Sequence, residues 1–540
     1  MDVLTLLGGV ALLIYGIKTM GDALQDLAGD NMRRLLTSLT GTPIRGVAAG
    51  AVVTMIIQSS SATTVMLVSF VHVGLMSLSQ AFSVIMGANI GTTITAQLIA
   101  FSIQRYSIIA AIAGIILALF GKNAAHRQAG AGLVGFSLLF VGMGMMQDAM
   151  SFLNGRQDLF ESLNNTPILG LAMGALVTMA VQASSATVGL TMVMASQGLL
   201  SLETAIAIIL GDNIGTTITA VLASLGGNRA AKQTATAHVL FNVIGACIMM
   251  LLLPYYTRLV AMTSSDISRQ VANSHSMFNI LNTMLFLFFI GPYTEFIKKL
   301  VPIGSRTPTD GQGARFLDEQ LIDVSPAAGV EAVRKEMVRL GDIALGMLRD
   351  CHKVILERES KSISDLFATE KTINQLTHQI IKYATDVGQK VHNPDLSVLL
   401  NSCVSGAGDM ERIGDHGENI AELAQFMMKR KLKFSHKATQ ECRDMFDLTV
   451  EAVEKSIRAL ESERPDLADE VLELEDRIDK MEKALRARHI ERLNSGKCQP
   501  DVGVVFIDIL SNLERVGDHA RNIALIVKDI QSVHTKQAVK

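Results

Sequence analysis

Two short polar segments of the chain place amide and hydroxyl side chains in the same order within apolar sequence. One reads Gln-Ser-Ser-Ser-Ala-Thr over 58–63 and the other Gln-Ala-Ser-Ser-Ala-Thr over 182–187, and a Gly-x-Asn-Ile-Gly-Thr-Thr segment follows each, at 87–93 and 211–217. Their side-chain oxygens carry no formal charge, which suits a sodium ion, and the free N–H groups at the start of a half-helix suit an anion. Interruptions at matching places in two halves of a membrane protein indicate a transport site.

One carboxylate distinguishes the two copies. Asp212 stands where the first copy has Ala88, and a carboxylate in a membrane segment suggests a cation or proton role. A part in ion coupling and an ion pair with a residue such as Lys232 are both open interpretations. Gly91 and Gly215 are expected to allow a helix break in each copy. The candidate ion- and anion-binding residues are Gln58, Ser59, Ser60, Ser61, Thr63, Asn89, Thr92, Thr93, Gln182, Ser184, Ser185, Thr187, Asp212, Asn213, Thr216 and Thr217.

Close packing of helices through small residues is the competing interpretation of these segments. Ser, Thr and Gly are common at the contacts between membrane helices. The duplication of two polar clusters at one constant shift makes packing alone a weaker explanation than binding.

Acidic residues in the C-terminal part have a spacing that suits a metal ion. Carboxylates four residues apart lie on one face of a helix, and with His416 and His519 adjacent they could hold a hard or borderline cation. Surface ion pairing with Arg412 and Arg515 is the alternative. The candidate metal ligands are Glu411, Asp415, Glu475, Asp479, Glu514 and Asp518.

The first 300 residues have the composition of a membrane domain. They hold about 25 charged residues against about 74 in the rest, and none lies between Arg45 and Arg105. A spanning helix needs about 20 mostly apolar residues. Basic loops, including the one with Arg33 and Arg34, are expected inside and the N-terminus outside. The expected crossings are 4–20, 80–100, 107–121, 130–146, 204–223, 236–253 and 277–292, with each Gln-Ser-Ser region dipping in and returning as a hairpin.

An internal repeat organises this membrane domain. Residues 42–98 align without gaps to 166–222, and about 31 of the 57 positions are identical. The sequence therefore predicts a membrane domain over 1–300, with one repeat at about 1–125 and a second at about 128–295, and the expected crossings place them in inverted orientation. A linker rich in Gly, Pro and Ser is predicted at 301–328, before a helical domain at 329–535.

The C-terminal part is also a repeat. Residues 411–420 and 514–523 share seven of ten positions, and apolar residues recur at helical spacing, as over 472–481. The pattern predicts two tandem three-helix bundles. The predicted fold class is all-α: a polytopic helical membrane domain with two inverted repeats containing re-entrant or broken helices, followed by these bundles.

The duplicated Gln-Ser-Ser segments, each followed by Gly-x-Asn-Ile-Gly-Thr-Thr, resemble the type II sodium–phosphate cotransporter family over about residues 1–295. The resemblance implies sodium-driven movement of inorganic phosphate, with both Gln-Ser-Ser segments carrying the sites; Ala183 lacks a hydroxyl of the pattern. Residues 330–530 resemble the PhoU domain. That second resemblance implies phosphate regulation and a divalent or iron-type metal at Glu-x-x-x-Asp motifs, although Asn374 stands where an acidic residue is the rule.

The favoured interpretation is a sodium-coupled phosphate transporter of the bacterial plasma membrane, with a cytoplasmic domain that regulates or gates it. Two alternatives are open: a membrane-anchored phosphate-signalling module without transport, and the same carrier working as an exporter. The chain has no P-loop, nucleophile elbow or metal-hydrolase motif, so an enzyme is not expected. Without a basic excess, nucleic acid is not an expected partner. A homodimer and phosphate-signalling partners of the cytoplasmic domain are compatible with the sequence.

Overall fold

The computed structural model describes residues 2–28, 41–101, 104–151, 160–225, 228–302, 313–357, 363–391 and 393–539. All regular secondary structure in these ranges is helical, which confirms the all-α prediction. The chain divides into two compact units, residues 1–305 and 306–540. The loop with Arg33 and Arg34 and residues 303–312 of the predicted linker lie outside the described residues.

The first unit contains the apolar helices, and fifteen are described in it. They are α1 (Asp2–Ala28), α2 (Pro43–Ile57), α3 (Ser60–His72), α4 (Leu78–Ala100), α5 (Gln104–Phe120), α6 (Ala124–Met150), α7 (Glu161–Asn165), α8 (Pro167–Val181), α9 (Ser184–Ser196), α10 (Leu202–Gly215), α11 (Ile218–Ser224), α12 (Arg229–Leu251), α13 (Leu253–Ala261), α14 (Ile267–Phe288) and α15 (Ile290–Leu300).

Glycines let the helices of this unit cross in pairs. A Cβ atom on Gly16 of α1 would lie 2.6 Å from the Gly135 carbonyl oxygen of α6, and the reverse distance is the same. Gly87 of α4 would similarly place a Cβ 2.0 Å from a carbonyl oxygen of α2, and Gly211 of α10 one 1.9 Å from a carbonyl oxygen of α8. Small residues are what allow membrane helices to approach this closely. These crossings therefore position the helices that carry the polar segments.

Within the described part of the chain, five helical segments are long and apolar enough to cross a membrane: Val3–Leu27, Leu78–Ala100, Ala124–Met150, Leu202–Ser224 and Arg229–Leu251. The pair α14 and α15, bent by 84° at its break, adds a sixth if it is one span. Six of the seven expected crossings overlap these segments. The crossing expected at 107–121 falls on α5, which is only 17 residues long and so shorter than a typical span; that crossing stays a prediction.

The helix breaks expected at the two Gly-Thr-Thr positions differ between the copies. α4 runs unbroken through Gly91, so the break predicted there is wrong. In the second copy α10 ends at Gly215 and α11 begins three residues later, at Ile218. Packing explains both glycines, because a Cβ on Gly91 would lie 2.5 Å from a carbonyl oxygen of α2 and one on Gly215 would lie 2.6 Å from a carbonyl oxygen of α8.

The second unit contains one short helix followed by two three-helix bundles, and the bundles are those that the repeat predicts. Its helices are α16 (Glu319–Val324), α17 (Pro326–Glu357), α18 (Ile363–Lys390), α19 (Pro394–Lys429), α20 (His436–Ser462), α21 (Pro465–Asn494) and α22 (Pro500–Val539). Helices α17, α18 and α19 pack on one another, as do α20, α21 and α22. Contacts of α17 with α20 and of α19 with α22 join the two bundles.

A buried carboxylate fixes the segment that precedes α16 to the first bundle. Glu336 of α17 is fully buried and accepts hydrogen bonds from the backbone N–H groups of Arg315 and Phe316 at 2.8 and 2.7 Å. Its other oxygen pairs with Arg339 at 2.6 Å. The chain from residue 313 onward therefore belongs structurally to the second unit.

Candidate substrate-binding site

Each Gln-Ser-Ser segment interrupts a helix at its glutamine. Gln58 lies between the end of α2 at Ile57 and the start of α3 at Ser60, with φ 57° and ψ 21°. Gln182 follows Val181 at the end of α8 with φ 56° and ψ 25°. The left-handed region costs a non-glycine residue about 1–2 kcal/mol, and such residues cluster at functional sites. The interruptions predicted at these two places are present.

The two interruptions face one cavity of about 340 Å³. Residues of both copies form its wall, together with part of α4 and one face of α1. The candidate residues that line it are Gln58, Ser59, Ser60, Ser61, Thr92, Gln182, Ser184 and Ser185. The structure thus brings the two Gln-Ser-Ser segments together, although they lie far apart in the sequence.

The other candidates do not line this cavity, and all are buried. They are Thr63, Asn89, Thr93, Thr187, Asp212, Asn213, Thr216 and Thr217. The two asparagines use their side-chain nitrogens within their own helices: Asn89 donates to the Ile85 carbonyl at 3.2 Å and Asn213 to the Ile209 carbonyl at 2.8 Å. Their side-chain nitrogens are therefore not available to a ligand in this arrangement.

A threonine pair links each broken helix to its second half, and in the second copy a carboxylate joins the pair. Thr54 Oγ1 donates to Thr63 Oγ1 at 3.0 Å in the first copy. In the second, Thr178 Oγ1 lies 2.8 Å from Thr187 Oγ1 and donates to Asp212 Oδ1 at 2.7 Å. Because a hydroxyl donates only one hydrogen, Thr187 is the donor to Thr178 when Thr178 donates to the carboxylate.

Asp212 is fully buried, and its second oxygen, Oδ2, has no hydrogen-bond partner among the described residues. Lys232 is exposed and forms no ion pair with it, so the interpretation of Asp212 as half of that pair is wrong. A buried carboxylate with an unpartnered oxygen is costly unless a cation or a proton occupies it. The arrangement can therefore hold a cation.

The two half-helices that start at the cavity differ in their caps. The Ser59 hydroxyl accepts a hydrogen bond from the backbone N–H of Ala62 at 3.1 Å and caps α3. Ala183 occupies the equivalent position before α9 and makes no side-chain cap. Unsatisfied N–H groups at a helix start attract anions. The Ala186 N–H, which a hydroxyl at position 183 would bind, instead donates to the Ala183 carbonyl at 3.1 Å. The N–H groups of Ser184 and Ser185, at the start of α9, are the ones that an anion in the cavity can use.

The two glutamines are also held differently. Thr95 Oγ1 of α4 donates to Gln58 Oε1 at 2.6 Å, which fixes that carboxamide. The equivalent Thr219 instead donates to the Thr216 carbonyl at 3.0 Å, next to the break between α10 and α11. Gln182 has no such partner among the described residues, so its carboxamide is free to turn.

Three polar residues of α1 line the cavity and were not predicted: Lys18, Asp22 and Gln25. The signal that could have found them is the charge of Lys18 and Asp22 within an apolar helix, since ionisable residues in membrane segments are functional by default. Lys18 supplies the positive charge that the Gln-Ser-Ser segments lack.

Three of the four acidic residues predicted as metal ligands in the second bundle lie together, and Glu514 is not in this group. Oxygens of Glu475, Asp479 and Asp518 lie within 4.8 Å of one another. Burial raises the pKa of Glu475, and neighbouring Asp479 and Asp518 raise it further against the opposing effect of Arg521. The pKa of Glu514 is raised for the same reasons, first by burial and then by Asp518 and Asp479. A cation bound here would relieve this repulsion.

The first bundle does not gather an equivalent group among the described residues. Asn374 donates a hydrogen bond to Glu370, and Asp415 forms a 3.2 Å ion pair with Arg412. The pKa of Glu370 is raised by burial and by nearby carboxylates, of which Asp415 and Glu411 are two. The candidates Glu411 and Asp415 thus lie near acidic neighbours but lack the third ligand that Asn374 replaces.

The two histidines beside these motifs join the bundles and do not point to the acidic groups. His416 Nδ1 lies 2.9 Å from Asn512 Oδ1, and His519 Nδ1 lies 2.9 Å from Asp409 Oδ1. The two imidazole rings are 5.6 Å apart. Each histidine thus uses its Nδ1 atom in the contact between α19 and α22.

Comparison with protein families gives two matches. The model of the Na+/Pi-cotransporter family matches residues 12–148 and again residues 150–298. The model of the PhoU domain matches residues 337–424 and 442–527.

Two relatives and one solved structure illustrate the similarity. The "Uncharacterized protein YqeW" of Bacillus subtilis is 31% identical over 269 residues, which covers 49% of this chain and 87% of that protein. The "Putative inorganic phosphate export protein YjbB" of Salmonella typhimurium is 24% identical over 534 residues, covering 98% and 97%. The crystal structure of PhoU from Pseudomonas aeruginosa matches 38% of this chain and 98% of its own, with a TM-score of 0.37 and 22% identity.

Proposed function

Because the chain belongs to the Na+/Pi-cotransporter family and carries a PhoU domain, we propose that it moves inorganic phosphate across a bacterial plasma membrane coupled to sodium ions. Phosphate and sodium bind in the cavity between the two Gln-Ser-Ser segments. The second unit lies in the cytoplasm and regulates or gates this transport.

The observation that carries the proposal is the meeting of both helix breaks at one cavity. Two half-helices, α3 and α9, begin there, and the first two N–H groups of α9, those of Ser184 and Ser185, suit a phosphate oxygen. Lys18 offers a positive charge to the same anion. The hydroxyl and amide oxygens of the wall, such as those of Ser60 and Gln182, are neutral ligands of the kind sodium accepts.

Asp212 supports coupling to a cation. Its Oδ2 atom is buried without a partner among the described residues, and a bound sodium ion would supply the missing counter-charge. Thr178 and Thr187 connect it by hydrogen bonds to α9, the half-helix that faces the cavity. Occupancy of this carboxylate can therefore affect the geometry of the phosphate site.

The direction of net transport depends on the gradients, because a coupled carrier runs both ways. The name of the Salmonella typhimurium relative, which spans nearly the whole chain, refers to phosphate export. Export is therefore the second candidate function. A membrane-anchored signalling module without transport is the third, and it predicts no flux at all.

Flux of radiolabelled phosphate into proteoliposomes, with and without a sodium gradient, tests the proposal. We expect uptake that follows an inward sodium gradient and outflow from preloaded vesicles when the gradient is reversed. Ser185→Leu fills the cavity and should reduce flux to background, whereas Ser196→Leu, on an exposed position of the same helix α9, should not. Flux without sodium dependence in the intact protein contradicts the coupling, and absence of flux leaves the signalling module.

A further inference from the structure

A second cavity, of about 520 Å³, lies in the second unit where two connections between helices meet. One connection joins α19 to α20 over 430–435, and the other joins α21 to α22 over 495–499. Each begins with a tight turn containing a left-handed residue, Lys431 with φ 54° and Gly496 with φ 69°. The cavity is therefore built by the ends of four helices.

The wall of this cavity is strongly basic. Its charged side chains are Arg430, Lys431, Lys433, Arg492 and Lys497, and no Asp or Glu is among the lining residues. Two of these cations already have partners: Arg430 forms an exposed ion pair with Asp501 at 3.1 Å, and Arg492 forms a largely buried one with Glu441 at 2.7 Å.

The three lysines form no ion pair among the described residues, so the cavity carries an unbalanced positive charge. A helix C-terminus attracts cations, which explains one lysine after α19 and one after α21. It does not explain why both ends place lysines around the same concave space, in which no Asp or Glu is a lining residue.

The floor of the cavity is rigid and presents a neutral imidazole. His489 is 1% exposed, stacks on Phe506 with ring centroids 4.5 Å apart, and lies 3.0 Å from an Arg492 nitrogen. Burial and the charge of Arg492 lower its pKa, so the ring adds no charge at neutral pH. Phe434 lines one side and packs edge-on against Phe506 at 5.6 Å.

We propose that this cavity binds a small molecule that carries two or more phosphate groups. Lysine ammonium groups and arginines are the usual partners of phosphate oxygens, and three unbalanced charges match a pyrophosphate or triphosphate better than a single orthophosphate. The volume also exceeds what one phosphate ion fills. Binding here does not depend on transport; that the ligand reports phosphate status to the membrane unit rests on the proposed function.

Binding of labelled pyrophosphate and ATP to the full-length protein tests this site. The protein is held in nanodiscs of phosphatidylcholine without sodium, so that neither anionic lipid nor sodium-dependent phosphate binding contributes. We expect saturable binding of both compounds, weaker binding of inorganic phosphate, and a loss of affinity as ionic strength rises. The double variant Lys433→Gln/Lys497→Gln should bind at least about tenfold more weakly, since each change removes a charge-assisted contact to a phosphate oxygen.

Two control variants separate charge from folding. Lys433→Arg/Lys497→Arg keeps the charges and should restore binding, and Lys382→Gln removes an exposed charge of α18 outside the cavity and should leave binding unchanged. Absence of saturable binding overturns the proposal. So does equal binding by the glutamine and arginine variants.

The flux experiment and the binding experiment test the two proposals separately. Saturable pyrophosphate binding in a protein without sodium-dependent phosphate flux would refute the proposed function and keep the cavity assignment. Sodium-dependent flux in a protein that binds no phosphorylated probe would support the proposed function and refute the cavity assignment.

Discussion

At the scale of single residues, the two left-handed glutamines define the candidate transport site. A side chain at this backbone position is unfavourable, and glycine would adopt the conformation without strain. Both Gln58 and Gln182 nevertheless carry a carboxamide that lines the cavity. The backbone conformation at these two positions would favour glycine, so we attribute the presence of glutamine to the carboxamide that it adds to the cavity wall.

Replacing each glutamine by glycine separates the backbone from the side chain. We expect Gln58→Gly and Gln182→Gly to change the free energy of unfolding by no more than about 1 kcal/mol, because relief of strain offsets the greater freedom of the unfolded chain. Phosphate flux should fall sharply in both. Thermal unfolding in detergent and flux in proteoliposomes measure the two effects, and flux like that of the unmodified protein would remove the glutamines from the site.

Asp212→Ala makes the second copy resemble the first, which has Ala88 at this position. If the carboxylate holds sodium, the sodium concentration that gives half-maximal flux should rise about tenfold or more, corresponding to about 1.4 kcal/mol. Sodium titration of flux measures this shift. Thr54→Val, which breaks the threonine pair of the first copy, is the matched control and should leave that concentration nearly unchanged; an equal shift in both variants would contradict a special role for the carboxylate.

Eight of the eighteen residues that line the cavity could be predicted from sequence, and the two charged residues that were missed had a visible signal. The duplication identified the Gln-Ser-Ser residues, because polar segments are unfavourable within a membrane domain and their presence in both copies indicates a shared binding role. Lys18 and Asp22 occur in α1, whose counterpart α6 belongs to a more divergent part of the repeat, so they were not recognised. Only the folded structure shows that Asp212 Oδ2 has no hydrogen-bond partner among the described residues.

At the scale of secondary-structure elements, glycine contacts determine how the helices cross. Sequence alone could not tell a glycine that permits a break from one that permits close approach. Gly91 and Gly215 share the sequence Asn-Ile-Gly-Thr-Thr-Ile-Thr-Ala, yet only the second is followed by a break. The break lies at Thr216 and Thr217, within this shared segment, so the segment itself does not determine it.

Gly211→Ala tests the importance of the crossing between α8 and α10. The added Cβ would lie 1.9 Å from a carbonyl oxygen of α8, so the helices must separate, and overpacking of this kind costs about 1–3 kcal/mol. We expect a lower unfolding temperature in detergent. Gly291→Ala is the control, since a Cβ there meets no atom within 4 Å; equal stability of the two variants would show that the crossing is not tight.

The acidic group of the second bundle predicts how stability depends on metal and pH. Folding raises the pKa of Glu475 and Glu514, so without metal their charges destabilise the folded state above the raised pKa values. This destabilisation is lost as the pH falls through them. A bound divalent cation should remove it at neutral pH and stabilise the unit by about 2.7 kcal/mol at a concentration 100 times its Kd.

Thermal unfolding with added divalent metal and with a chelator measures this effect. Asp518→Asn should abolish the metal-dependent rise in unfolding temperature and reduce the pH dependence of the metal-free form. Asp415→Asn, in the bundle where no three-ligand group gathers among the described residues, is the matched control. A metal effect of equal size in both variants would place the ion elsewhere.

At the scale of the whole molecule, the two units are separate in contacts and in sequence pattern. The contacts that Glu336 makes with Arg315 and Phe316 assign the chain from residue 313 to the second unit. A chain that ends after Pro302 therefore keeps every described helix of the first unit. Composition made this division predictable, because charge density changes abruptly near residue 300.

Truncation after Pro302 should leave sodium-dependent phosphate flux intact but remove its regulation. Flux measured in proteoliposomes over a range of internal phosphate concentrations compares the truncated and full-length proteins. A truncated protein that is folded, as judged by its unfolding temperature, and yet inactive would show that the second unit is part of the carrier.

The unequal halves around the cavity have a consequence for sidedness. Thr95 fixes Gln58, Ser59 caps α3, and α4 is continuous, whereas the second copy lacks all three restraints. A carrier assembled from two identical halves would have the same energy whichever face it opened. With only one half restrained, the protein without ligand should be open mainly to one side of the membrane. The phosphate concentrations that give half-maximal transport from the two sides should then differ by the ratio of the populations of the two conformations.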